Sequence, residues 1–238
     1  MEHLQTTAQL LGISLTQAQL DQFSGYFEAL VSWNESVNLT GITEKDEVVT
    51  KHFLDSLTIV PYLPKLPFSM IDIGTGAGFP GIPVRIVVPE STVTLLEAVG
   101  KKVNFLEHII KTLELENITA HQGRAEDFGH DPKFRGQFDI VTGRAVAHLS
   151  VLAEYALPFL KVGGRLIAQK MDTITGEEGK NEITDTDKAL AELGGRVKGI
   201  VAVTAEGLKN RNIIIIEKIS DTPSKYPRRA GVPSKRPL

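Results

Sequence analysis

The feature that most constrains this chain is a glycine-rich turn. Gly74-Thr75-Gly76-Ala77-Gly78-Phe79-Pro80-Gly81 directly follows a short apolar run at 69–73 and precedes another at 82–88. Strand, glycine turn and helix in that order open the nucleotide-binding half of a doubly wound sheet. Glycine accepts the tight turn and lets a ligand approach the backbone. In such sheets the ligand sits at the carboxyl ends of the strands, where the strand order reverses.

The turn itself narrows the ligand. A dinucleotide fingerprint needs Gly-x-Gly-x-x-Gly. Gly74 and Gly76 fit it, but Phe79 stands at the third position, which argues against a nicotinamide-dependent oxidoreductase. The run reads Asp-x-Gly-x-Gly-x-Gly from Asp72 instead. S-Adenosylmethionine has no pyrophosphate to seat on a helix N-terminus. It does carry an α-ammonium group, which Asp72 is expected to help position. Glu97 ends the next strand-like run, at 92–96. There an acidic side chain can accept hydrogen bonds from both ribose hydroxyls. Glu126 and Asp127 end the third run, where they could meet an adenine amino group; a solvated or helix-capping pair is the plainer alternative. Arg144 closes the fourth, where these folds place the reacting substrate.

The rest of the chain supports the same architecture. Apolar residues recur at helical spacing over 4–33, broken near Gly12, with Ser14 or Thr16 as a cap. A second helical stretch covers 45–60 and ends at Pro61. Pro61, Pro64 and Pro67 then form a rigid linker. Strands follow at 69–73, 92–96, 118–122, 138–142 and 165–169. Helices are expected at 82–88, 101–113, 149–160 and 189–193, and a closing β-hairpin at 197–203 and 212–219. The expected fold is α/β: a doubly wound, mostly parallel seven-stranded sheet of the Rossmann-like class I methyltransferase type, with an N-terminal helical extension. The chain divides into a helical region at 1–67, a cofactor-binding domain at 68–220 and a basic tail at 221–238.

Composition removes several alternatives. With no cysteine there can be no disulfide, thiolate metal site or cysteine nucleophile. The six histidines show no metal-ligand spacing, so no metal is expected. No apolar run reaches the ~18 residues of a membrane span, and the N-terminus lacks signal-peptide character; a cytoplasmic location is expected. Charge is unevenly spread. Lys225, Arg228, Arg229, Lys235 and Arg236 lie in the last stretch of that tail, 225–238, which has no acidic residue, leaving 21 basic against 29 acidic residues elsewhere. Pro227, Pro233 and Pro237 argue for an extended arm, and its five cations for contact with RNA phosphates. Trp33 and His52 read as a packed indole and a satisfied core histidine rather than as RNA contacts.

The missing pieces also limit the chemistry. Methylation at pyrimidine carbon 5 commonly needs a cysteine nucleophile. Methylation of exocyclic amines commonly uses Asn/Asp-Pro-Pro-aromatic after the fourth strand, where this chain has Thr142-Gly143-Arg144-Ala145. A ring nitrogen such as guanine N7 presents a lone pair and needs no general base. It would benefit from a cation near O6, which Arg144 and Lys170, at the ends of neighbouring strands, could supply.

Taken together, the motifs resemble the bacterial small-subunit ribosomal RNA methyltransferase G (glucose-inhibited division protein B) family. The resemblance runs through Asn38-Leu39-Thr40, His52-Phe53-Leu54-Asp55-Ser56, Asp72 to Pro83, Lys101-Lys102-Val103-Asn104-Phe105-Leu106, Arg124-Ala125-Glu126, Arg144-Ala145-Val146-Ala147 and Lys225 to Gly231. It implies S-adenosylmethionine-dependent methylation of N7 of one guanine in 16S ribosomal RNA, with that RNA or the small ribosomal subunit as partner. By position it places Gly74, Phe79, Ala125, Glu126 and Arg144 around the cofactor, with Glu97 at the ribose and Gly76 and Gly78 in the same loop. Lys170-Met171 departs from the usual Lys-Gly, which puts only the local turn in doubt. Other readings are a class I methyltransferase acting on another RNA, a protein or a small molecule, and a noncatalytic RNA-binding module. An intact Asp72, glycine loop and Glu97 speak against the last.

Overall fold

The computed structural model describes residues 1–144, 147–171, 182–205 and 207–238. Ala145 and Val146 of the arginine–alanine motif lie outside these. Strands β1 (Ser69–Ile73), β2 (Thr92–Glu97), β3 (Ile118–Gln122), β4 (Phe138–Arg144), β5 (Leu160–Met171), β6 (Gly195–Ala202) and β7 (Arg211–Lys218) form one sheet. Their order is β3-β2-β1-β4-β5-β7-β6. The first five run parallel, and β7 lies antiparallel between β5 and β6. The last strand in sequence is therefore interior and the one before it is the edge. Their compositions explain this. Asn212-Ile213-Ile214-Ile215-Ile216 offers apolar side chains to both faces, whereas β6 alternates half-buried with exposed residues.

Period-two alternation sorts the strand residues onto two cores. Met70, Val93, Leu95, Ile140, Ile167 and Ile213 face one side; Ile71, Ile73, Leu96, Val141, Leu166, Ala168, Ile214 and Ile216 face the other. Helices α1 (Glu2–Leu10), α2 (Gln17–Asn34), α5 (Gly81–Val87) and α6 (Gly100–Thr112) serve the first core. Helices α7 (Ala125–Phe128), α8 (Leu149–Ala156) and α9 (Thr184–Leu193) serve the second. The prolines at 61–67 thus mark a change of chain direction and not a division between cores: Leu4, Phe23, Tyr26 and Leu30 pack in the same cluster as Met70 and Leu95.

Of the two caps that the sequence offers, Ser14 and Thr16, helix α2 uses Thr16. Thr16 Oγ1 accepts from the Gln19 N–H at 3.3 Å, and Gln19 Oε1 accepts from the Thr16 N–H at 2.9 Å, a reciprocal capping box. The helix expected at 45–60 has an irregular middle. Helix α3 (Lys45–Val48) passes through a π-helical segment (Val49–Leu54) into α4 (Asp55–Leu57), and the Asp55 N–H bonds to Thr50 O, five residues back.

The tail corrects the expectation of an extended arm. Tyr226 and Pro233 are buried, and Val232–Lys235 forms a short helix, α10. Three proline rings do exclude a long helix. They do not exclude a packed segment, because Glu154 on α8 supplies the buried acid that the tail's charge needs. Among the described residues, no helix is long and apolar enough to cross a membrane.

Candidate functional site: two cavities at the switch point

Strand order reverses between β1 and β4, and a cavity lies on each side of that reversal. The smaller, about 200 Å³, is lined by Ile73 and Gly74 at the end of β1, Leu96 and Glu97 at the end of β2, and Arg124, Ala125, Glu126 and Tyr155. The larger, about 380 Å³, is lined by Lys51, His52 and Asp55, by Arg144 from β4, by Gln169, Lys170 and Met171 from β5, and by Glu182 and Arg211.

The smaller cavity is organised by carboxylates and backbone. Gly74, Gly76 and Gly78 have φ of +64°, +61° and +101°, a region that favours glycine. At Gly78 a Cβ would also come within 2.7 Å of the Tyr26 hydroxyl and 2.5 Å of Ile82. At Gly81 it would meet Leu95 at 2.3 Å, so helix α5 can lie this close to β2 only with glycine there. The loop is tied at two points. Glu97 accepts from the Gly76 N–H and the Val99 N–H, each at 2.9 Å and one on each oxygen. Tyr26, on α2, donates to Ala77 O at 2.5 Å. Each Glu97 oxygen keeps a further lone pair for a ligand hydroxyl. Leu96, Ile73 and Ala125 supply apolar surface beside it. This donor set suits an adenosyl group.

Asp72 does something other than the sequence suggests. It lies on the opposite face of β1 from Ile73 and is fully buried. Its Oδ2 accepts from Thr75 Oγ1 at 2.5 Å and from the Gly81 N–H at 2.9 Å, while Oδ1 has no hydrogen-bond partner. Burial pushes its pKa up to about 7, against the lowering pull of those two bonds. Asp72 braces the glycine loop from behind and does not line either cavity. Phe79 is likewise turned inward. It stacks on His52 at 4.7 Å and on Tyr26 at 5.3 Å, with the Arg144 guanidinium 5.0 Å above its ring. Gly74, Glu97, Ala125 and Glu126 are brought together around the smaller cavity, whereas Arg144 lies with the larger one.

The larger cavity is organised by ion pairs. Arg144 donates to Asp55 Oδ2 at 3.0 Å, to Lys51 O at 3.1 Å and to His52 Nδ1 at 3.3 Å. The widened helical turn delivers all three acceptors to one guanidinium. Burial first, and then the Arg144 charge, bring the His52 pKa down to about 4. The ring is therefore neutral at pH 7, with Nδ1 accepting from Arg144 and Nε2–H donating to Thr40 Oγ1 at 2.8 Å. Arg211 Nε lies 3.4 Å from Asp55 Oδ1, an ion pair without hydrogen-bond geometry. Lys170 donates to Ala147 O at 2.6 Å and forms an ion pair with Glu182 Oε1, also at 2.6 Å. Gln169 bonds to Asp55 O at 2.5 Å.

Sequence reasoning did not single out Asp55, Gln169, Glu182 and Arg211 as site residues. Asp55 did leave a signal: an acid between Leu54 and Leu57 in an otherwise apolar helical stretch has to find a cation once buried. Glu182 and Arg211 left none: Arg211 reaches the site only when β7 pairs with β5, and Glu182 reaches it from the turn that precedes α9. Among the five tail cations, Arg228 is committed to Glu154 with contacts of 2.6 to 3.1 Å and does not face outward. Lys225 makes an exposed pair with Glu192 at 2.9 Å. Arg229, Lys235 and Arg236 are exposed. Trp33 packs edge-on against Phe105. Among the described residues, no group of three or more His, Asp and Glu side chains is placed to hold a metal ion.

A family model described as rRNA small subunit methyltransferase G matches residues 19–214. A ribosomal RNA small subunit methyltransferase G of Leuconostoc mesenteroides is 50% identical over 230 residues, 95% of this chain and 94% of that protein. One of Roseiflexus castenholzii is 46% identical over the full length of both. Among solved structures, a SAM-dependent methyltransferase from Aquifex aeolicus superposes with a TM-score of 0.56 at 17% identity, covering 74% of this chain and 94% of that one. A TYW2 from M. jannaschii, in complex with AdoMet, gives 0.54 at 14% identity over 75% of this chain and 80% of its own.

Proposed function

The chain belongs to the rRNA small subunit methyltransferase G family, and from that premise we propose that it methylates N7 of a guanine in 16S ribosomal RNA, using S-adenosylmethionine, in the cytoplasm where ribosomal subunits assemble. The observation that carries this reading is the pair of unlike cavities flanking the strand-order reversal. One is lined by acids and glycine backbone, the other by cations held against buried acids.

Bound between the glycine loop and the ends of β2 and β3, S-adenosylmethionine supplies an electrophilic methyl group. Glu97 accepts from the ribose hydroxyls, and Glu126 with Ala125 holds the adenine end. Gly74 and Gly76 let the backbone come close, Gly78 packs against Tyr26 and Ile82, and Asp72 and Phe79 fix the loop from its inner side. The guanine enters the larger cavity. Arg144 and Lys170 hold its O6 edge, and N7 offers its lone pair without deprotonation. Orientation is then the main contribution of the protein. Arg229, Lys235 and Arg236, with Lys225, offer phosphate contacts on the surface.

The test is transfer of labelled methyl groups to 16S RNA and to small-subunit particles at several stages of assembly, with nuclease digestion to locate the product. The expected product is 7-methylguanosine at one site. Arg144→Ala combined with Lys170→Ala is expected to lower turnover at least a hundredfold while S-adenosylmethionine affinity stays within about twofold. Normal turnover in that double variant would remove both residues from the mechanism, and label in any other nucleoside would overturn the N7 assignment.

A further inference from the structure

We propose that the C-terminal segment from Tyr226 to Ser234 braces the lining of the cofactor cavity from behind and sets cofactor affinity by orienting Glu126 and Tyr155. The proposal rests on the assignment of the smaller cavity to the adenosyl group.

The segment is anchored before it reaches the cavity. Arg135 donates to Tyr226 O at 2.7 Å and to Thr222 O at 2.8 Å, and His130 Nε2 lies 2.7 Å from Pro227 O. Arg228 then closes a bidentate pair with Glu154, through Nε to Oε1 at 2.9 Å and Nη2 to Oε2 at 2.6 Å, and adds its own backbone N–H at 2.8 Å. Glu154 is completely buried on α8. Such forked, charge-assisted contacts fix direction as well as distance.

Beyond the anchor the segment touches the cavity's lining twice. The Gly231 N–H donates to Glu126 Oε1 at 2.9 Å. The Ser234 hydroxyl meets the Tyr155 hydroxyl at 2.9 Å. Glu126 and Tyr155 both line the smaller cavity. Gly231 has a φ of +80°, which turns its N–H onto the carboxylate. With one oxygen of Glu126 occupied by that N–H, the other is held in one orientation toward the ligand. Without it the carboxylate keeps only its bond with the Tyr155 hydroxyl, and ordering it on binding costs affinity. The positive charge of Arg228 is thus spent inside the protein, and the segment's positioning residues are Gly231 and Ser234.

Three measurements test this. On the intact chain, saturation with S-adenosylmethionine is expected to slow amide hydrogen exchange across 226–234 at least tenfold, because binding and segment order are reciprocally linked. Unchanged exchange there overturns the proposal. A chain ending at Arg229 keeps the Arg228–Glu154 anchor and is expected to bind S-adenosylmethionine and S-adenosylhomocysteine at least tenfold more weakly by calorimetry without RNA. Ser234→Ala is expected to raise the KM for S-adenosylmethionine about twofold to threefold with kcat unchanged. Equal affinity in the shortened chain, or a fall in kcat at unchanged KM in Ser234→Ala, overturns the proposal. Glu97→Ala separates the premise from the inference. If it binds S-adenosylmethionine normally, the cavity assignment fails and the proposal with it. If it binds at least tenfold more weakly while the tail variants bind normally, only the proposal fails.

Discussion

The two segments that flank the sheet in sequence meet it on opposite faces and by different physics. Residues before β1 join the core through large apolar side chains: Leu4, Phe23, Tyr26 and Phe53 are all fully buried. Residues after β7 are held chiefly by charge and backbone, with one buried aromatic, Tyr226, and one buried ion pair, Arg228 with Glu154. The first segment shapes the larger cavity by supplying Lys51, His52 and Asp55. The second reaches the lining of the smaller one through Gly231 and Ser234. An apolar attachment loses stability gradually as methylenes are removed, whereas a buried ion pair loses it steeply when one partner goes.

That contrast can be broken most directly at the two arginines. Arg228→Ala leaves Glu154 buried with no cation and is expected to cost about 3 kcal/mol. Arg144→Ala leaves Asp55 with Arg211 at 3.4 Å and is expected to cost clearly less, about 1–2 kcal/mol. Urea midpoints at pH 7 measure both. Equal losses would mean that the tail's ion pair is no more essential than the site's.

A smaller effect sharpens the apolar side of the comparison. Tyr26→Phe keeps the ring stacked on Phe79 and Phe53 but leaves Ala77 O without its donor. The expected loss is about 1 kcal/mol of stability, with weaker cofactor binding because the glycine loop loses one of its ties. If only stability changes, α2 supports the core without shaping the loop.

The smallest effect is a pH dependence. The folded pKa of His52 is about 4 against an ordinary 6.5, so the unfolded chain takes up the proton first. Its contribution is complete above about pH 6.5 and is lost as pH falls toward 4. Asp72 works in the opposite direction, since its folded pKa is raised to about 7; the neutral acid is favoured in the fold and stability falls as pH rises through that range. The stability difference between the native chain and His52→Gln isolates the first group. It is expected to shift toward the variant as pH drops from 6.5 to 4. A difference independent of pH would mean that the ring is protonated within the fold.

How much of this could be read in the sequence depended on the range of the interaction involved. The glycine turn, the cap near residue 16 and the acid at the end of β2 are local patterns, and each lies where its pattern put it. Asp72 was legible as a residue but not as a direction. Only the sheet's alternation shows that it faces α5 while its neighbour Ile73 faces the cavity. The tail was the least legible. Five cations and three prolines describe a solvated arm unless a buried acid awaits them, and Glu154 lies 74 residues away on a helix otherwise apolar. Similarly, Arg211 acquires its place only when β5 pairs with β7.

The wide turn at Val49–Leu54 has a consequence for how this stretch of chain can vary. It uses one residue more than regular α-helical winding would need between Thr50 and Asp55. Deleting one residue there would restore the regular winding and draw the carbonyl at position 51, which accepts from Arg144, back into the helical ladder. Lys51 serves Arg144 only with that carbonyl, which any residue carries. In this stretch, then, the count of residues is specified more strictly than some of their identities: a substitution at 51 is tolerable where a one-residue gap is not.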